Sequence, residues 1–289
     1  MLSLRKLLHD KSKPLVVPGV YDAVGARIAQ KVGFEVMFQT GYGTSATLLG
    51  MPDYGFIGAA ETVENARRIC HAVSVPVIVD ADTGYGNPLS VWKIVKELES
   101  AGASGIFLED QKWPKRCGHM QGKEVIPKEE YAEKLRAALD ARKSKNFIIV
   151  ARTDARAPEG LDAAIERGLQ YRKIGADAIF VEAPRSVAEM KKIGKSINAP
   201  LVANMIEGGA TPLLSASMLH KMGFKLILYP LSVLFANSFA SLQILYELRK
   251  SGTTSKFKKN LFAFDQFNDI VDLPKFRKME KKYAHKITK

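Results

Sequence analysis

The feature that most limits how this chain can fold is a rhythm. Short, β-branched apolar runs alternate with longer amphipathic stretches from the N-terminus to about residue 250. Such alternation belongs to parallel strands joined by crossover helices. Eight runs are readable, at 15–18, 36–40, 77–82, 105–110, 147–154, 178–182, 201–204 and 226–230. Several are apolar at every position rather than at every second one, as in strands covered on both faces, which excludes a half-exposed antiparallel sheet. Four runs are approached through one signature, an apolar or small residue, then Gly, then Ala or Phe: at Gly33, Gly102, Gly175 and Gly223. Glycine there predicts a left-handed residue that ends a helix just before the next strand. Eight βα units in about 235 residues point to an α/β protein with a closed (β/α)8 TIM-type barrel, since open sheets usually carry fewer strands. The rhythm stops near Thr253, so residues 1–250 read as one catalytic barrel and 251–289 as a basic C-terminal helical extension.

Charge is the anomaly. Lys and Arg number 43 against 30 Asp and Glu, a net +13, in a chain of 289 residues whose 46% hydrophobic content excludes a disordered protein. A polyanion, a membrane surface or an anionic small molecule could each answer such a balance. The tail holds ten Lys and Arg against four Asp and Glu, +6 of the total, with Phe257, Phe262, Phe264 and Phe267 as expected packing anchors. No nucleic-acid-binding motif accompanies this charge, so no nucleic-acid partner is expected. The longest apolar stretch, 226–236, is interrupted by Pro230 and falls short of the roughly 20 residues that span a bilayer. Two cysteines without a pairing pattern, Cys70 and Cys117, and a charge-broken N-terminus predict a reducing, cytoplasmic setting and no membrane partner.

Catalytic groups of a barrel belong at the C-terminal ends of its strands. Polar residues stand at the ends of six runs: Thr40, Asp80 with Asp82, Glu109 with Asp110, Arg152 with Asp154, Glu182 and Asn204. Asp110 and Asp154 read equally well as helix caps. Asp80 and Asp82 are two apart and so point to one side of a strand, where like charges repel unless a cation lies between them. With Glu109 they form an oxygen-only donor set suited to Mg²⁺ or Mn²⁺ and unsuited to zinc. A long polar loop after the fourth strand, 112–127, reads as a lid. Within it Cys117 is flanked by Lys115, Arg116 and His119, cations expected to lower its pKa. Cys70, on a helical pattern, reads as a packed small hydrophobe.

Several segments, in order, resemble the isocitrate lyase/phosphoenolpyruvate mutase superfamily: VDADTGYGN from Val79, LEDQ from Leu108, KRCGH from Lys115, ARTDA from Ala151, NMIEGGATPL from Asn204 and LYPLS from Leu228. Within it the chain is most similar to 2-methylisocitrate lyases, 2-alkylmalate lyases and carboxyphosphoenolpyruvate mutase-like proteins. The resemblance implies a Mg²⁺-dependent barrel, a mobile loop carrying KRCGH, and a homotetramer that exchanges a C-terminal helix. It further implies carbon–carbon cleavage of a small anionic carboxylate, a 2-hydroxy di- or tricarboxylate, with Asp82 as direct metal ligand and Asp80 and Glu109 acting mainly through water. Cys117 would protonate the departing carbanion, with Arg152, His119 and Tyr42 as further catalytic groups. Substrate contacts would come from Thr40, Gly41, Tyr42, Asp53, Lys115, Arg116, Gly118, His119, Arg152, Glu182, Asn204, Leu228 and Pro230. Two departures bear on the substrate. Phe38 stands where many relatives have Tyr, leaving Tyr42 as candidate base, and IEGG at 206–209 removes a hydroxyl expected to hold a third carboxylate. A phosphonate-forming mutase or an oxaloacetate-acting enzyme of the same superfamily is the alternative.

Overall fold

A computed structural model describes residues 3–284. Eight parallel strands close into a barrel in sequence order: β1 (Leu15–Val20), β2 (Met37–Gln39), β3 (Val77–Asp80), β4 (Gly105–Glu109), β5 (Ile148–Thr153), β6 (Ala178–Val181), β7 (Leu201–Asn204) and β8 (Phe224–Tyr229). Closure is made by β1 on β8, with Leu15 beside Leu226 and Pro18 beside Tyr229. All eight predicted runs are strands, and the fold is the (β/α)8 TIM-type barrel. The four signature glycines have φ between 99° and 128°, the left-handed closure the sequence required.

The barrel has two cores. One lies between strands and helices. The other fills the interior, where Phe38 stacks on Phe107 at 4.8 Å and Phe107 meets Phe180 edge-on at 5.6 Å. A short N-terminal helix, Leu4–His9, capped by Ser3, buries Leu4, Leu7 and Leu8 in this interior core and so plugs the end of the barrel where the strands begin. This plug is not legible in the sequence, because six residues are too few for a readable helical period.

The chain divides into two compact units, Met1–Leu234 and Phe235–Lys289. The division falls inside the helix Ser232–Ser251, ahead of the expected break at 250. In the second unit Phe262, Phe264 and Phe267, expected to pack on the barrel or on a neighbouring subunit, are exposed in the single chain. Among the described residues no helix is long and apolar enough to cross a membrane.

Candidate active site

The cavity at the C-terminal ends of the strands gathers most of the residues expected there. Thr40, Tyr42, Asp53, Asp80, Cys117 and Gly118 line one side, and Arg152, Glu182, Asn204, Leu228 and Pro230 the other. Phe38, Phe180, Ile206 and Leu231 complete an apolar wall. Ile206 stands in the IEGG segment expected to shape the pocket, whereas Leu231 was not singled out from sequence, since nothing separates it there from an ordinary core residue. The free space is small, about 40 Å³, room for roughly three water molecules. With the lid placed as it is, a dicarboxylate enters only if the lid moves.

Asp80 and Asp82 share the site for a reason other than the one expected. β3 ends at Asp80, and Asp82 takes a left-handed conformation, φ 47°, with its N–H donating to Asp80 Oδ1 at 3.2 Å. A turn, not strand alternation, brings the two carboxylates together. Gly41 N–H donates to Asp80 Oδ2 at 3.3 Å, and a Cβ at position 41 would stand 2.8 Å from that oxygen and 3.4 Å from Asp82 Oδ1. Burial raises the pKa of Asp80, Asp82 and Glu109, that of Asp82 to about 7. Glu109 Oε1 is buried with no hydrogen bond directed at it, and Asp82 Oδ1, also buried, faces the Lys115 ammonium at 2.6 Å. Such oxygens fit a hard divalent cation, which would relieve both the desolvation and the mutual repulsion. Among the described residues no three His, Cys, Asp or Glu side chains converge into a ready-made coordination cluster. The fit is therefore to an ion held by one or two carboxylates that keeps several waters, the usual habit of Mg²⁺.

The lid is pinned at its base. Gln111 and Val125 form an antiparallel bridge, and the Gln111 amide clasps the Arg116 backbone, accepting from its N–H at 3.0 Å and donating to its carbonyl at 2.9 Å. Lys123, buried, reaches Asp154 Oδ1 at 2.7 Å. At the tip, Cys117 N–H donates to the Asp53 carbonyl at 3.2 Å. Gly118 crosses the site so closely that a Cβ there would lie 1.9 Å from Glu182 Oε1 and 2.5 Å from Arg152 Nη2.

Three expectations for the lid need correction. Lys115 does not face the thiol: its Nζ sits 2.5 Å from Asp53 Oδ1 and 2.6 Å from Asp82 Oδ1. Arg116 points outward, donating to the Gln121 carbonyl at 3.0 Å, and is not a substrate contact in this arrangement. With both cations turned away, burial first and then the charges of Asp53 and Glu182 push the Cys117 thiol up to about 11, the opposite of the predicted depression. Cys117 is thus a neutral S–H, equipped to give a proton. Burial raises Tyr42 as well, so this phenol is a hydrogen-bond donor and not a ready base. Cys70 is the inert thiol expected, pushed up to about 12 by burial.

Arg152 is also committed differently. Its guanidinium fork is taken by Asp154, Nε to Oδ2 at 2.9 Å and Nη2 to Oδ1 at 3.0 Å, leaving Nη1 on Glu109 at 3.1 Å. It cannot offer an incoming anion the free bidentate clamp that was expected. Asp154 is no helix cap. Burial alone would raise its pKa, but Arg152 and Lys123 together hold it well below the usual carboxylate range. Asp110 likewise serves structure, accepting from Asp154 N–H at 2.8 Å and the Tyr171 hydroxyl at 2.8 Å. Glu182 accepts from Asn204 Nδ2 at 3.1 Å, which fixes the amide with its oxygen toward the cavity. His119 Nδ1 accepts from Ala210 N–H at 2.9 Å, so the proton of the neutral ring sits on Nε2, 3.5 Å from Glu182 Oε1. A Cβ at Gly209 would approach that ring to 2.5 Å, which is what the IEGG glycine makes room for.

Fold and site together show a (β/α)8 barrel with carboxylates at the strand ends and a thiol-bearing lid, and the relatives make it an enzyme of the lyase type. Residues 4–248 match the phosphoenolpyruvate phosphomutase family, and the chain belongs to that family, within the phosphoenolpyruvate mutase/isocitrate lyase superfamily. The chain is 44% identical to the 2,3-dimethylmalate lyase of Eubacterium barkeri over 97% of both chains. It is 47% identical to the chloroplastic carboxyvinyl-carboxyphosphonate phosphorylmutase of Arabidopsis thaliana, over 96% of this chain and 83% of the relative. Among solved structures it resembles an oxaloacetate acetylhydrolase bound to 3,3-difluorooxalacetate, with TM-score 0.93 and 32% identity over 99% and 97% of the two chains. It also resembles a phosphonopyruvate hydrolase in complex with oxalate and Mg²⁺, with TM-score 0.88 and 27% identity over 97% and 98%.

Proposed function

We propose that this enzyme is a Mg²⁺- or Mn²⁺-dependent carbon–carbon lyase acting on a 2-hydroxy dicarboxylate of the 2-alkylmalate type. The observation that carries the reading is Cys117: a neutral thiol carried by the lid over a cavity lined by Asp53, Asp80, Glu182 and Arg152. Asp82, Asp80 and Glu109 would hold the cation, which when bound lowers the pKa of a 2-hydroxyl and stabilises the developing carbonyl. Cleavage breaks the C2–C3 bond. The hydroxyl passes its proton to the Glu182 carboxylate in the cavity wall, which releases it when the lid opens; C2 becomes a 2-oxo acid, and the bonding pair leaves with C3 as an enolate-like dianion. The Thr40 hydroxyl and the remaining hydrogen of Arg152 Nη1 supply donors to the carboxylates, while the Asn204 oxygen faces the cavity as an acceptor. The Cys117 Sγ–H protonates C3 and leaves a thiolate, which regains a proton when the lid opens. Gly118 seals the site, and with water excluded C3 takes its proton from the thiol.

Every cation at the site is already paired with a carboxylate of this chain, and the far wall is apolar. This supports a dicarboxylate with an alkyl substituent over a tricarboxylate such as 2-methylisocitrate. The test is to follow 2-oxo acid release from 2-hydroxy di- and tricarboxylates, with Cys117→Ser and Asp82→Ala as controls. Full turnover by Cys117→Ser removes the protonation role; activity in chelator removes the metal. The 47% identity to a phosphorylmutase favours one second reading, a phosphonate-forming mutase. The likeness to an oxaloacetate acetylhydrolase favours another. Oxalate from oxaloacetate, or phosphonopyruvate from phosphoenolpyruvate, would select between them. A homotetramer with an exchanged C-terminal helix remains part of this proposal.

A further inference from the structure

The surplus positive charge has no home at the active site. Lys115, Lys123 and Arg152 are each neutralised there by an acid of the chain, and Arg116 faces outward. With +6 in residues 251–289, the barrel keeps +7. On the face opposite the lid, where β7 and β8 begin, lies a much roomier cavity of about 730 Å³, within the range of small-molecule sites. His9, Lys11, Arg172, Lys195, His220 and Lys225 line it, and no Asp or Glu does. An adjoining hollow adds Lys191 and Lys221, again without an acid.

Cations in the last turns of helices commonly offset the helix dipole, and three of the six are used locally. Arg172 Nη1 donates to the Ala176 carbonyl at 2.6 Å, His220 Nε2 lies 3.2 Å from the Lys11 carbonyl, and Lys225, buried, donates to the Lys13 carbonyl at 2.7 Å. The nearest carboxylate, Asp10, is exposed and turned to Ser12 N–H at 2.9 Å. None of the six has a carboxylate within ion-pair distance among the described residues, although most buried cations of this chain do. Concave shape, volume and unneutralised charge therefore coincide.

We propose that this cavity is a second ligand site, for a small soluble anion bearing two or more phosphate groups. Lys11 and Lys195 would act as free point charges and Arg172 would offer its remaining fork donors.

The experiment titrates the full chain with pyrophosphate, without divalent metal, by calorimetry at low ionic strength. One arm uses Lys11→Ser/Lys195→Ser, two exposed positions outside the catalytic machinery. A second uses Lys256→Ser/Lys258→Ser, which removes equal charge from the tail. The expected result is saturable one-to-one binding, weakened at least tenfold in the first variant and less than twofold in the second. No saturable binding below 1 mM, or equal weakening in both variants, overturns the proposal. Vesicles containing phosphatidate present the same group on a flat surface. Retention on vesicles without pyrophosphate binding would also overturn it, in favour of a lipid surface.

Discussion

The ammonium of Lys115 lies between two carboxylates, 2.6 Å from Asp82 Oδ1 and 2.5 Å from Asp53 Oδ1, where a divalent cation would be attracted. A divalent cation bound here would thus compete with the lid lysine for one patch of negative charge. Lys115→Met leaves Asp53 and Asp82 buried without their partner, a loss on the order of 3 kcal/mol. Thermal unfolding in chelator should shift down for this variant, and added Mg²⁺ should restore more stability to it than it gives the wild type. Equal Mg²⁺ shifts in the two proteins would show that lysine and ion do not share the patch.

Cys117→Ser keeps the size of the side chain but offers a far weaker acid. Turnover should fall about 10²- to 10⁴-fold, the range for a positioned proton donor, with KM little changed. Steady-state kinetics on the best 2-alkylmalate decides it.

The Cys117 pKa also has a sign that can be checked. Its folded value, about 11, lies above the ordinary 9.0, so the folded state holds this proton longer than the unfolded chain. The stability it contributes is fully present below pH 9 and is lost as pH rises through about 11. Cys70, pushed up to about 12, acts in the same direction. Urea midpoints should fall between pH 9 and 11, and the fall should be smaller in Cys117→Ser. Thiol labelling at pH 8 should be slow at both cysteines until the protein is unfolded.

Gly118→Ala should cost at least 10²-fold in kcat with an unfolding temperature close to wild type. The added methyl would meet Glu182 and Arg152 only when the lid is shut. A variant that kept full turnover would show that catalysis does not need this closure.

Asp154→Asn strips Arg152 of its fork partner and Lys123 of its anchor, two buried cations at once. A loss of about 3–5 kcal/mol is expected from denaturant unfolding, together with impaired lid closure.

Periodicity revealed the barrel because eight buried parallel strands each write an uninterrupted apolar run, and a glycine at φ near 100° marks four of the turns into them. Strand ends likewise pointed to Asp80, Arg152, Glu182 and Asn204, which line the cavity. Partner choice stayed hidden. Arg152 and Asp154 stand two apart at the end of β5, so spacing permits their pairing but does not record whether the fork turns to Asp154 or to the cavity. The same holds for Cys117: flanking cations suggested a thiolate, but Lys115 folds away to Asp53 and burial decides the outcome.

The Leu4–His9 plug and the Phe38–Phe107–Phe180 stack leave the catalytic chamber with a dry floor. Among the described residues that end of the barrel is filled, so under the proposed reaction substrate, solvent protons and both products would cross the lid in turn, with their order governed at one gate.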